Sequence, residues 1–309
     1  MVSERARGIG LAASGMALLS TDSLLVRAAD ANAMDILFWV GALTSIVMLP
    51  VAARSAGTAP LSAFRWSGAT IVAAVLQATT VVCFVLAIEA TSVANVLAIL
   101  ATAPFASAIL AWLLLRERTP RRTWSGAGLS AVGIAVIVSG SVATGSALGV
   151  VYAGIAVAAF ASLTVWMRRH RTISGPFVIG LAGLGMAVVS SPWATREHTV
   201  GTWLALAAMG LITAPLARLM LATAPRYIPA AEVALFTPIE TVLGSTWAFL
   251  VFAERPGGRT LLGGAVIFAG LLWGLTSPTQ RRIWADLRRA PPEFGREPSH
   301  EAAPPPQQS

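Results

Sequence analysis

The chain reads as an all-α integral membrane protein of about ten transmembrane helices, arranged as two inverted five-helix repeats. Three observations predict this. Hydrophobic residues make up 56% of the 309 and charged residues only 12%, against roughly one quarter charged in an average soluble domain. A set of landmarks returns at a fixed interval: Glu117, Gly126 and Gly133 recur as Glu254, Gly263 and Gly270, each pair 137 positions apart, and such self-similarity marks a repeated unit. Each half holds five apolar runs, and because five is odd the second half must run through the bilayer in the opposite sense to the first.

The runs are 8–29, 35–54, 67–89, 92–115, 123–141, 147–167, 173–191, 201–224, 229–252 and 260–277, each close to the ~20 residues that carry a helix across ~30 Å of hydrocarbon. The first carries Asp22 and Arg27, whose spacing of five does not set them on one helix face. Ala31-Asn32-Ala33, just beyond it, resembles a signal-peptidase site. Cleavage there would leave nine spans and break the symmetry, so the run is read as a membrane span. The second carries Phe38-Trp39-Val40. The third holds Gln77 near mid-depth and Cys83, the single cysteine, which precludes an internal disulfide or a cysteine metal cluster. The fourth holds Asn95 near its outer end and Pro104 within it. The eighth carries Arg218 near its end, where a long side chain can snorkel to headgroups. The ninth carries Pro238 and Glu240.

The formal charge of +8 comes from arginine alone. With the N-terminus in the cytoplasm, seventeen arginines fall on the cytoplasmic side, among them Arg5, Arg54, Arg121 and Arg168. Four fall outside: Arg27, Arg196, Arg255 and Arg259. This positive-inside bias places both termini in the cytoplasm of a multi-pass cell-membrane protein. No basic stripe lies outside short loops and the tail, which argues against a nucleic-acid partner. His170, His198 and His300 read as solvated loop or tail residues. The units are then 1–141 and 142–278, followed by a basic, Pro-rich tail over 279–309. Its Gln280–Arg289 stretch suits a surface helix on anionic lipid, and its composition from Ala290 onward cannot build a core.

The stretches ATAPFASAILAWLLLRER from Ala101 and TPIETVLGSTWAFLVFAER from Thr237, each followed by a glycine at Gly126 or Gly263, resemble the paired signature of the drug/metabolite transporter superfamily, specifically its EamA-type members. The resemblance implies ten helices in two inverted repeats around a central cavity, and export or exchange of small metabolites. Two departures stand out. The position one repeat after Pro104 is Thr241, with the proline displaced to Pro238. Members of the family also often carry a basic residue in the second helix, where this chain has Trp39, a difference that weighs against anionic substrates.

Ionisable groups at mid-bilayer cost about 2.5–3.5 kcal/mol on insertion scales and call for a partner, water or a function. Glu240 lies eleven residues into a span starting at Pro229, ~16 Å deep at 1.5 Å per residue. Thr237, Glu240, Gly244 and Trp247 share one helix face. That face suits a cavity wall, with Glu240 exchanging a proton for substrate; the alternative makes Glu240 a structural, interhelically bonded carboxyl and Trp247 an interfacial anchor. Gln77, Asp22 and Trp39 complete the candidate set. Pro104 and Pro238, as interior prolines, would each free a carbonyl oxygen to line a polar cavity; the alternative is a packing kink satisfied by a neighbouring Ser or Thr. Glu117 and Glu254 read as loop-pinning residues. Gly126, Gly128, Gly180, Gly185, Gly263 and Gly270 read as helix-packing residues.

These features point to a secondary transporter of a small organic metabolite or drug, working by alternating access, with no cofactor and no catalytic or metal site. Its expected partners are the substrate, the lipid bilayer, a proton, and a second copy of the chain in a homodimer. The alternative is a non-transporting scaffold or sensor acting through its tail. No phosphate-binding loop of the Walker type is present in the sequence.

Overall fold

Long apolar runs without water must satisfy every backbone group internally, so they form helices. A computed structural model describes residues 2–55, 67–116, 121–143, 147–170, 172–195, 197–228, 233, 236–253 and 257–275, and among these there is no strand. The helices are α1 (Val2–Ala28), α2 (Ala33–Ser55), α3 (Gly68–Ala90), α4 (Val93–Leu100), α5 (Ala103–Leu115), α6 (Arg121–Ala143), α7 (Ala147–Arg169), α8 (Gly175–Ser190), α9 (Val200–Ala207), α10 (Ala214–Thr223), α11 (Thr237–Phe252) and α12 (Gly258–Leu275). Seven helical stretches among the described residues are long and apolar enough to cross a membrane; three shorter apolar ones, Trp124–Ile137, Val242–Phe252 and Gly258–Gly270, accompany them. The protein is a multi-pass membrane protein. Glu117, Glu254, His300 and the tail lie outside the described residues, as do the side chains of Thr237 and Pro238.

Two of the expected continuous spans are interrupted. The fourth breaks between α4 and α5, and Pro104 stands in the first turn of α5 rather than in a helix interior. There its missing N–H is one that a helix start leaves unpaired in any case. Thr102 bridges the break, its Oγ1 donating to the Ile99 carbonyl at 2.7 Å. The eighth span holds a π-helical turn, Ala208–Thr213, between α9 and α10. The Ala214 N–H reaches back five residues to the Met209 carbonyl, and Thr44 Oγ1 donates to the Gly210 carbonyl at 3.2 Å.

The sequence interval recurs in the backbone. Helices α5 and α11 both end on a non-glycine residue in the left-handed region, Arg116 (φ 53°) and Ala253 (φ 51°), 137 positions apart. Their N–H groups donate to Ala111 and Ala248 respectively, again one interval apart.

Equivalent helices also pack in matched ways. α2 lies on α8 and α6 on α12, each against its own counterpart, while α3 on α7 is matched by α10 on α1, and α5 on α7 by α11 on α1. Glycines allow the closest approaches. A Cβ on Gly41 would lie 2.6 Å from the Gly183 oxygen, and one on Gly270 2.8 Å from the Gly126 oxygen. Gly180 meets Leu49, whereas Gly128 and Gly185 face open space and are not the packing residues their type suggested.

Candidate functional site

The interrupted helices meet at a cavity of about 80 Å3 lined from α1, α3, α7 and α10 and from the first turns of α5 and α11. Its polar groups are Asp22, Gln77, Thr80, Thr164, Arg218 and Glu240, set among Met16, Phe84, Phe160 and Met167. The interval of 137 orders its walls: Leu19 and Ala156, Val81 and Arg218, Phe84 and Leu221, and Ala103 and Glu240 are repeat-related pairs, and all eight residues line it. Equivalent backbone positions thus face the same space, but the chemistry differs, since Val81 is matched by a guanidinium and Ala103 by a carboxyl.

Glu240 is 2% exposed and stands in the first turn of α11. The ends of unpaired N–H groups and the helix dipole favour a carboxylate there. No hydrogen bond or ion pair to it occurs among the described residues, so its interhelically bonded structural alternative finds no partner in this set.

Asp22 is equally buried and fully engaged. Thr213 Oγ1 donates to its Oδ1 at 2.6 Å, and Arg218 Nη2 donates to its Oδ2 at 3.5 Å. Arg218 therefore does not snorkel to a headgroup. It is 8% exposed and faces inward, because the side chain of a helical residue leans toward the N-terminus of its helix and so runs back toward Thr213 and α1. In the sequence Arg218 reads only as a snorkelling residue, and Thr213 is not singled out. The signal available was an arginine inside an apolar run, where the cost of burial already called for a partner.

The remaining candidates part company. Gln77 lines the cavity. Gly244 does not: it packs against Leu97 and Ser23, because the face it shares with Glu240 turns toward α1 and α4 one helical turn further on. Trp247 also lies away from the cavity lining, its Nε1 buried without a hydrogen-bond partner among the described residues. Asn95 ties α4 to α12, accepting from Thr260 Oγ1 at 2.5 Å.

Trp39 belongs to a separate cluster at the far end of the bundle, the end that carries the α1–α2 connection. Its Nε1 donates to the Thr195 carbonyl at 3.1 Å and its ring packs edge-on to Trp203 at 4.6 Å. Beside it Asp35 accepts from the Thr195 N–H and Oγ1 and from Asn32 Nδ2. His198 lies against Trp203 with its Nε2 3.9 Å from Asp35 Oδ2 and its side chain only 7% exposed, so the expectation of a solvated loop histidine does not hold there. His170 is not free either, stacking on Trp166 at 4.3 Å. No group of three or more His, Cys, Asp or Glu residues able to hold a metal occurs among the described residues.

A cavity among membrane-crossing helices, lined by ionisable groups that an apolar setting would otherwise exclude, is the arrangement a transporter uses. The comparisons with known proteins agree. The chain belongs to the EamA-like transporter family, whose pattern matches residues 6–139 and again 147–276. It is similar to a protein of Archaeoglobus fulgidus named an uncharacterized transporter, at 22% identity over 256 residues, covering 82% of this chain and 91% of that one. A solved crystal structure shares the fold, with a TM-score of 0.67 at 16% identity, covering 87% of this chain and 97% of the other.

Proposed function

We propose that this transporter is a secondary, proton-coupled exporter or exchanger of a small organic solute across the cell membrane, working by alternating access between two inverted five-helix repeats. The observation that carries the reading is Glu240: a buried carboxyl in the first turn of α11, lining a cavity, with no partner among the described residues. Burial penalises its charged form, so a proton or a cationic group can hold it in turn.

The inverted-repeat arrangement is supported by the matched pairs of helix contacts and by the repeat-related lining of the cavity. Ten spans follow if α6, α11 and α12 join the seven longer stretches. The arginine distribution supports cytoplasmic termini, which makes the end where α1 begins the inner one.

The test is a metabolite-panel flux assay in proteoliposomes with an imposed pH gradient. Uptake of at least one solute should follow the gradient and collapse when it is dissipated. Flux that ignores the gradient would remove the proton from the mechanism, and no flux for any solute in the panel would count against the secondary-transport reading.

A further inference from the structure

Three cavities lie in series through the bundle. The central one, about 80 Å3, extends past Met167 and Pro225 toward the end where α1 begins. A far-end vestibule of about 380 Å3 is lined by Arg27, Asp30, Asn32 and Glu89 among others. Between them is a neck of about 10 Å3, no larger than the minimum that holds one water. The neck shares Asp22, Val81, Phe84 and Arg218 with the central cavity and Val26, Ile36 and Val85 with the vestibule. The Asp22–Arg218 pair therefore sits at the constriction between the two larger spaces, and Thr213 at the end of the π-helical turn holds Asp22 from the same side.

The pair is built loosely. A guanidinium presents five donors and grips a carboxylate best in a two-point fork, yet Arg218 makes a single contact of 3.5 Å to Asp22, and no other bond from it occurs among the described residues. A buried charge with unused donors facing a cavity awaits an acceptor. A solute carboxylate supplies one of matching geometry, and once it holds Arg218 the contact that closes the neck is broken.

We propose that Arg218 binds the carboxylate of the transported solute, and that this exchange of partners releases Asp22 and unlocks the neck between the central cavity and the vestibule. This rests on the transporter reading but adds the substrate's chemistry: a small solute with an apolar body, to lie against Met16, Phe84 and Phe160, and a carboxylate. Trp39 in place of a basic residue does not exclude such substrates, because the cation comes from α10. The carboxylate belongs either to a simple acid or to a zwitterion whose ammonium group meets Glu240.

The test uses the full chain in detergent, with Cys83→Ala to remove the native thiol and Val85→Cys at the neck, where Val85 is 3% exposed, and reads the rate of thiol labelling. Four probes share a six-carbon chain: hexanoate, norleucine, hexylamine and hexanol. Hexanoate or norleucine should raise the labelling rate on the order of tenfold, the size of a common coupling between sites, while hexylamine and hexanol leave it unchanged. A response to hexanoate identifies a simple acid, and a response to norleucine alone identifies a zwitterion. Arg218→Gln should abolish the response, and Asp22→Asn should label fast without any probe. The double variant Asp22→Asn with Arg218→Gln leaves neither member of the pair as a lone buried charge and should label fast as well if the single variant fails to assemble. Equal responses to hexylamine and hexanoate, or a double variant that assembles and labels as slowly as the parent, would overturn the proposal. The measurement needs no flux, so a protein that transports solutes but shows no labelling response would lose the lock and keep its function.

Discussion

Gly133 and Gly263 meet backbone to backbone: a Cβ on either would stand 2.6 Å from the other's carbonyl oxygen. Their repeat partners are Gly270 and Gly126, and there a Cβ on Gly270 would stand 2.8 Å from the Gly126 carbonyl oxygen. The two contacts are exchanged by the sequence interval, so the α6–α12 seam is one contact used twice.

Gly133→Ala should therefore destabilise the protein by about 2 kcal/mol, the usual cost of overpacking, because the nearest atom in the way, the Gly263 carbonyl oxygen, is backbone and cannot rotate aside. Gly264→Ala, with nothing within 4 Å of its Cβ, should be neutral or slightly stabilising. Thermal unfolding in detergent compares the two, and equal losses would mean the seam is not close-packed.

Ala253 occupies the left-handed region at φ 51°, a conformation that costs an L-residue roughly 1–2 kcal/mol and glycine almost nothing. Ala253→Gly should raise the midpoint of thermal unfolding. A drop would show that the strain is offset elsewhere in the loop.

Asp35 collects three donors from the α1–α2 connection and the loop after α8. Asp35→Ala removes the acceptor of both Thr195 donors and should cost about 1 kcal/mol, with the 191–199 segment becoming more open to proteolysis. Unchanged proteolysis would mean that Trp39 alone anchors that loop.

Glu240→Gln keeps the size and hydrogen-bonding capacity of the side chain but cannot ionise. It should assemble normally and lose pH-driven transport to the level of protein-free vesicles. Transport with undiminished dependence on the gradient would move proton coupling elsewhere, with Asp22 the next position to test.

Cysteines placed beside Arg121 and beside Arg259 should be labelled by an impermeant reagent from opposite sides of the membrane, the first only from the cytoplasm. Labelling of both from one side is incompatible with inverted repeats.

Hydropathy, helix length and the interval of 137 are local or periodic properties, and they determined the apolar helices, the two-part family match and the exposure of Glu240 to selection as a candidate. Each depends on residues within one turn or one span, so one sequence suffices to read them. The partner of Asp22 was a different matter. Thr213 and Arg218 lie 191 and 196 positions away, and only the packing of α10 on α1 brings them to its two oxygens.

The same holds for His198 and Asp35, joined across more than half the chain by the docking of a loop on the start of α2. It holds again for Gly244 and Trp247, which helical spacing set beside Glu240 but which α1 and α4 turn away from the cavity. A helix face is fixed by sequence, but which neighbour covers it is fixed by the bundle, and the broken fourth span shows the limit at its sharpest. Pro104 announced an irregularity, and only the tertiary structure decided that the helix would stop and restart there, so that Ala103, like its repeat counterpart Glu240, lines the cavity from the first turn of a helix.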